Sequence, residues 1–168
     1  ALTHSSATNK RLKSNERMEF LGDRVLALVL AEMLLENYPE EAEGEIAYRF
    51  TALAQRDALA QVAQKIGIAD VIMLSNGERS SGGGENPGVL ADATEAVLAA
   101  IYEDGGLAPA KAFVRAHWSE MMREERRPPK DPKTTLQEWA QGHGFGLPRY
   151  RVVGQEGPDH QPIFKSEV

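Results

Sequence analysis

A bundle of helices followed by a small, unfinished α+β module is the fold the sequence predicts, and three features predict it. Apolar residues recur at helical spacing through most of the first 126 positions. A proline-rich break then follows at Arg126-Arg127-Pro128-Pro129-Lys130-Asp131-Pro132, where three prolines resist helix and extend the backbone. Beyond it lie one short helical pattern and two strand-like runs, which bury too little to stand alone.

In chain order, Ala1-Leu2-Thr3-His4 has neither an initiator Met nor a signal-peptide core, and reads as a cut edge within a longer chain. The far end is expected to be as abrupt. A basic cluster, Lys10, Arg11, Lys13 and Arg17, precedes a helix from about Asn15 to Tyr38, with Ser14 as its expected N-cap and Pro39 as its stop. Leu21, Val25, Leu28, Val29, Ala31 and Met33 make it apolar around much of its circumference, as suits the centre of a bundle. A second helix is expected after Glu43-Gly44, with Ile46, Phe50, Leu53, Leu59, Val62 and Ile66 inward and Gly67 closing it. Its outer face, Arg49, Gln55, Arg56 and Gln64, reads as solvated. Ser75–Gly88 holds five glycines and no Walker lysine, so it reads as a flexible loop and not a phosphate-binding loop. A third helix covers Val89–Tyr102 and ends at Asp104-Gly105-Gly106. A last one runs from about Pro109 to Arg126 with Phe113 and Trp118 inward. After the proline-rich linker come a helix at Thr134–Gln141 and strands at Arg149–Val153 and Pro162–Val168, flanking a Gly154–His160 turn.

Composition excludes several classes of chemistry. The 168 residues contain no cysteine, so no disulfide, zinc thiolate, iron–sulfur cluster or catalytic thiol can exist, which fits a reducing, cytoplasmic setting. No apolar run is long enough to cross a bilayer: Val25–Ala31 stops at Glu32 and Ala96–Tyr102 at Glu103. The net charge of −6 is uneven. Residues 128–168 carry five basic and five acidic side chains, so residues 1–127 carry fourteen basic against twenty acidic. A site that gathers carboxylates for a divalent cation has this composition, and so does a plain solvated acidic surface.

The chemistry concentrates in Asn15-Glu16-Arg17-Met18-Glu19-Phe20-Leu21-Gly22-Asp23. On a helix, positions 16, 19 and 23 fall within about 60° of one another, so three carboxylates share a stripe. Asp92 and Glu95 repeat the i, i+3 spacing inside an apolar helix, where an uncompensated carboxylate is costly to bury. If the two helices cross there, Glu19, Asp23, Asp92 and Glu95 form an oxygen-only cage of the kind preferred by Mg²⁺, with Mn²⁺ as substitute. The plainer alternative is ion pairing with Arg17, Arg24, Arg49 or Arg56 on wet helix faces. A di-iron carboxylate bundle would need Glu-x-x-His motifs, and none is present.

NERMEFLGD at 15–23 resembles the signature of the ribonuclease III family of double-strand-specific endoribonucleases. ALTHSS at 1–6, EGE at 43–45 and ADATEAVLAAIYEDGG at 91–106 agree with it in order. KDPKTTLQE at 130–138 and GPDHQPIF at 157–164 resemble the beginning of the double-stranded RNA-binding domain that follows the nuclease in bacterial members, so the likeness covers nearly the whole chain. It implies an all-α endonuclease domain, a dimerising helical bundle, over 1–126, then a linker at 127–132. A partial α+β RNA-binding domain of α-β-β-β-α order, truncated after its second strand, follows over 133–168.

The resemblance implies roles residue by residue. Glu19, Asp23, Asp92 and Glu95 would coordinate Mg²⁺, with Asp23 and Glu95 closest to the scissile phosphate as the catalytic pair. Glu16 and Glu43 would be supporting acids, the latter reaching the valley from the partner subunit. Phe20 would plug a socket on the other protomer of a homodimer, which makes mechanical sense because a two-fold axis lets each site cut one strand. Hydrolysis needs a deprotonated water in line with the leaving 3′ oxygen and stabilisation of charge on the phosphate, and divalent ions do both. The products implied carry 5′-phosphate and 3′-hydroxyl ends with two-nucleotide 3′ overhangs, from rRNA, mRNA and tRNA processing. Thr134, Gln137 and Glu138 match positions that contact the minor groove of A-form RNA, and His160 lies in a turn matching a loop that reaches the next groove. Two departures stand out. Ala93, Thr94 and Glu103 replace more apolar residues, and Val168 precedes the family's third strand and lysine-rich second helix, so duplex binding by these 168 residues is expected to be weak. The rival reading is an inert double-stranded RNA-binding scaffold of the same fold; such relatives lose metal-binding acids, and this chain keeps all six.

Overall fold

The computed structural model describes residues 1–124, 132–156 and 163–167. The chain divides into two compact units, Ala1–Pro128 and Pro129–Val168.

The first unit is helical: α1 (Glu16–Asn37), α2 (Glu43–Ala54), α3 (Arg56–Lys65), α4 (Ile68–Val71), α5 (Asn76–Ser80), α6 (Pro87–Gly105) and α7 (Leu107–Glu124). α1 and α6 form the central pair, with α2, α3 and α7 packed around them. Leu26, Val29, Leu30 and Leu34 of α1 and Leu90, Ala93, Ala96, Leu98 and Ala99 of α6 are buried, as are Leu53, Leu59, Val62 and Trp118 from the surrounding helices. Each large apolar side chain removed from water contributes about 1.5–3 kcal/mol. Two polar side chains deep inside are satisfied: Trp118 Nε1 donates to the Leu53 carbonyl at 3.0 Å, and the Thr94 hydroxyl lies 2.9 Å from the Leu90 carbonyl and 3.2 Å from that of Leu59. The Thr94 hydroxyl thus ties α6 to α3.

Several helix ends follow local chemistry. α6 starts with Pro87 at its first position, where no N–H is needed, and the Asn86 side chain accepts from the Gly88 N–H at 2.8 Å. Gly67, at φ 73°, closes α3 as the sequence predicts. Leu2–His4 run beside Met73, ahead of two 3-10 turns at Ser5–Ala7 and Arg11–Lys13: Met73 N donates to Leu2 O, His4 N to Met73 O, and Asn15 N to Thr3 O at 2.8 Å.

Four expectations are corrected. The helix after Glu43-Gly44 is two helices, because Gln55 takes an extended ψ of 156° and ends α2 before α3 begins. No glycine or proline marks the break; the acid in the first turn of α3, Asp57, is its faint signal. Ser14 is not the cap of α1: Asn15 holds that position, and the Ser14 hydroxyl donates to Glu16 at 2.9 Å. The glycine-rich stretch is not a plain loop, since Ser75 caps the short helix α5 through the Glu78 N–H. Arg49 is not solvated but 3% exposed. Its guanidinium makes two 2.7 Å bonds to Glu41 and lies 3.9 Å over the Tyr38 ring, while the Tyr38 hydroxyl donates to the Met122 carbonyl at 2.7 Å. This assembly fastens the α1–α2 turn to the end of α7. Replacing Arg49 with Gln leaves a carboxylate half-sequestered without its bidentate partner and is expected to cost about 2–3 kcal/mol, at the low end for a buried pair because Glu41 keeps some solvent. Urea unfolding reads this directly; an unchanged midpoint would show that the pair holds nothing.

The second unit holds α8 (Pro132–Gly142) and an antiparallel pair, β1 (Arg151–Glu156) and β2 (Ile163–Glu167), with an irregularity between Val152 and Gly154. Trp139 on α8 stacks on Phe145 at 5.9 Å and touches His143 at 4.7 Å. The turn between the strands and the proline-rich linker fall largely outside the described residues.

Candidate metal centre

Two helices deliver the acids, and a glycine lets them meet. A Cβ placed on Gly22 would overlap the backbone carbonyl of Glu95. With only hydrogen there, the turn of α1 that carries Glu19 and Asp23 lies against the turn of α6 that carries Asp92 and Glu95.

Glu19, Asp92 and Glu95 each offer one carboxylate oxygen, and these oxygens lie within 4.8 Å of one another. All three side chains are half-buried, and none accepts a hydrogen bond from the described residues. Their electrostatics record the crowding. Burial, then the charges of Asp23, Glu19 and Asp92, push the Glu95 carboxyl up to about 8, with Arg24 opposing. Glu19 is raised by burial and by Asp92, Glu16 and Asp23. Asp92 is raised by burial against the pull of His4 and Arg56. Three converging oxygens that resist ionisation together, with no cationic side chain from the described residues bonded to them, form a donor set that suits a hard divalent cation.

The other predicted residues take different places. Asp23 is close enough to raise Glu95, but its carboxylate turns to Arg24 at 2.6 Å and is half exposed. Arg24 in turn lies 4.0 Å over the Phe20 ring and bonds the Phe20 carbonyl at 3.2 Å. Glu16 sits one turn before Glu19, held by Ser14, at the edge of an open groove of about 770 Å³ that Phe20, Leu12, Lys13, Arg17 and Glu103 also line. Phe20 is 64% exposed, on an α1 face that also exposes Leu28 and Leu35. Glu43 is exposed at the start of α2 and does not join the three acids. On α8, Gln137 is half-buried; the side chains of Thr134 and Glu138, and all of His160, lie outside the described residues. Sequence reasoning gave no role to Gly22 or His4, and named Arg56 only as a solvated residue or an ion-pair partner of the acids; Gly22 left a trace as a lone glycine inside a strong helical pattern. No described helix is long and apolar enough to cross a membrane.

Comparison with known proteins agrees with this architecture. The Ribonuclease-III-like family model matches residues 1–121, and the double-stranded RNA binding motif matches residues 132–168. The chain is 43% identical over 169 residues to Ribonuclease 3 of Anaplasma marginale (strain Florida), covering 100% of this chain and 73% of that one. It is 47% identical over 171 residues to Ribonuclease 3 of Caulobacter vibrioides (strain NA1000 / CB15N), covering 100% and 74%. Among solved structures it resembles the nuclease domain of ribonuclease III from Campylobacter jejuni, whose description mentions a region involved in dimer formation. There the TM-score is 0.65 and the identity 36%, over 70% of this chain and 84% of that one.

Proposed function

The chain belongs to the ribonuclease III family, and from that premise we propose that its acid cluster holds Mg²⁺ for the hydrolysis of double-stranded RNA. It is a double-strand-specific endoribonuclease. The observation that carries the site assignment is the convergence of Glu19, Asp92 and Glu95 from two helices held together at Gly22.

Glu19, Asp92 and Glu95 would hold the ion, with Asp23 as the fourth acid; Mn²⁺ is the expected substitute. A divalent cation there supplies an activated water and screens charge accumulating on the phosphate. The chain's own residues set the conditions for this. Glu95, pushed up to about 8 in the free site, would have to give up a proton at neutral pH to serve as a ligand. Arg24 pairs with Asp23 at the open side of the cluster. Glu16 adds negative charge one turn away, and Glu43 is assigned to the valley of the partner subunit. Phe20, largely exposed beside a groove of its own chain, is assigned to seat in the same groove of a second copy, giving a homodimer whose two sites each cut one strand. Thr134, Gln137, Glu138 and His160 are assigned to read the A-form minor groove by shape. An enzyme of RNA processing is expected in the cytoplasm, with its substrates.

Incubation with duplex RNA and Mg²⁺ tests the reading. Cleavage to 5′-phosphate and 3′-hydroxyl ends, abolished by chelation and absent with single-stranded RNA, is the expected outcome. A duplex that is bound and left intact would establish the scaffold reading instead.

A further inference from the structure

We propose that Arg56 is a phosphate-positioning residue: its guanidinium, laid over the first turn of α6, grips the RNA backbone phosphate next to the scissile one. The inference rests on the reading that Asp92 and Glu95 face the scissile phosphate, and it adds a cationic contact that the carboxylates cannot supply.

Gly88, Asp92 and Glu95 follow one another at i, i+4 and i+7 and therefore share one face of α6. A Cβ on Gly88 would stand 3.8 Å from Arg56 Nε and 3.9 Å from its Cζ, so the guanidinium of α3's first residue reaches across onto that face. Its place over Gly88 is four residues from Asp92, roughly 6 Å along the helix axis at 1.5 Å per residue. That is about the stride from one backbone phosphate to the next. Arg56 therefore stands in register with the acid site along a strand that follows α6.

Its lack of partners is the second observation. Arg24 pairs with Asp23, Arg49 with Glu41 and Arg115 with Glu36, and Arg79 bonds the Ile72 carbonyl. Arg56 is exposed and makes no hydrogen bond and no ion pair among the described residues, although Asp92 feels its charge. It also rests on the positive end of a 19-residue helix. A cation held against like partial charge, beside acids it does not touch, is a place prepared for an anion. The anion this enzyme brings to α6 is RNA phosphate, whose oxygens the planar guanidinium fork matches.

Duplex binding can be measured without cleavage in Glu95→Gln. Adding Arg56→Gln should weaken affinity roughly 3–10-fold and make the slope of log Kd against log salt shallower by about one, the signature of one lost phosphate contact. Lys65→Gln, which removes a charge from the other end of α3, should leave the slope unchanged. In the active chain Arg56→Gln should raise KM by a similar factor with kcat within about twofold, and Arg56→Lys should recover most of the salt slope. An unchanged slope overturns the proposal. So does a loss of kcat with weakened metal binding, which would make Arg56 an ionic partner of Asp92. If the unsubstituted chain neither binds nor cuts duplex RNA, the functional reading itself fails, and the two failures are distinguishable.

Discussion

Glu95→Gln is expected to lower kcat for duplex RNA by about 10³-fold or more, while raising the stability of the metal-free protein at alkaline pH. The first effect follows from removing a ligand charge: a change in the shell outside the ligands already costs about 10–100-fold, and a ligand must cost more. The second follows from linkage. Burial and three neighbouring acids hold the Glu95 carboxyl at about 8 against an ordinary value of 4.5. Between those values the folded state keeps a proton that the unfolded chain has released, so stability falls as pH rises through the window. Glutamine does not titrate. The variant should therefore match the parent below about pH 4.5 and exceed it by about 1–2 kcal/mol above pH 8, a figure discounted because the group is partly solvated. Thermal melts across pH 4–9, with single-turnover cleavage beside them, check both effects. A variant less stable at every pH would show that Glu95 is a structural acid.

Gly22→Ala is expected to weaken the fold and the site together. In an exposed helix this change stabilises by about 1 kcal/mol, because alanine is the better helix former. At position 22 the added methyl meets the Glu95 carbonyl, which is backbone and cannot rotate away. Overpacking of this kind costs about 1–3 kcal/mol and more where backbone must move, so a net loss of about 2–3 kcal/mol is expected. Cleavage should fall too, since separating α1 from α6 spreads Glu19 from Asp92 and Glu95. Gly44→Ala is the contrast: nothing lies within 4 Å of its Cβ, and that helix should gain a few tenths of a kcal/mol. If both substitutions stabilise alike, the close approach of the two helices is not what assembles the site.

The sequence made much of this visible, and for physical reasons. The period of apolar residues located α1, α6 and α7, and the i, i+3 acids on two of those helices stood out because an apolar helix does not keep unpaired carboxylates without cause. The break between α2 and α3 was hidden, because Gln55 turns the chain with no residue type that demands a turn. Arg49 was misread for a related reason: burial of an arginine depends on a partner eight residues back and a ring at Tyr38, which no periodicity reports. Three of the acids were legible as a site, and the pairing of Asp23 with Arg24 is the one ion pair of the plainer alternative that the structure forms with these acids among the described residues. Arg56 was read as solvated or as an ion-pair partner of the acids, and its place over Gly88 was hidden because that neighbour lies 32 positions away in the chain.

Calorimetric titration of the metal-free chain with Mg²⁺ or Mn²⁺ at pH 7, in two buffers of different ionisation heat, tests the central claim most directly. The account predicts a bound divalent ion that expels about one proton, because Glu95 is still protonated at that pH and must ionise to become a ligand, and it predicts that Glu95→Gln loses the proton release and most of the affinity. Binding without proton release, or binding undiminished in the variant, would contradict it.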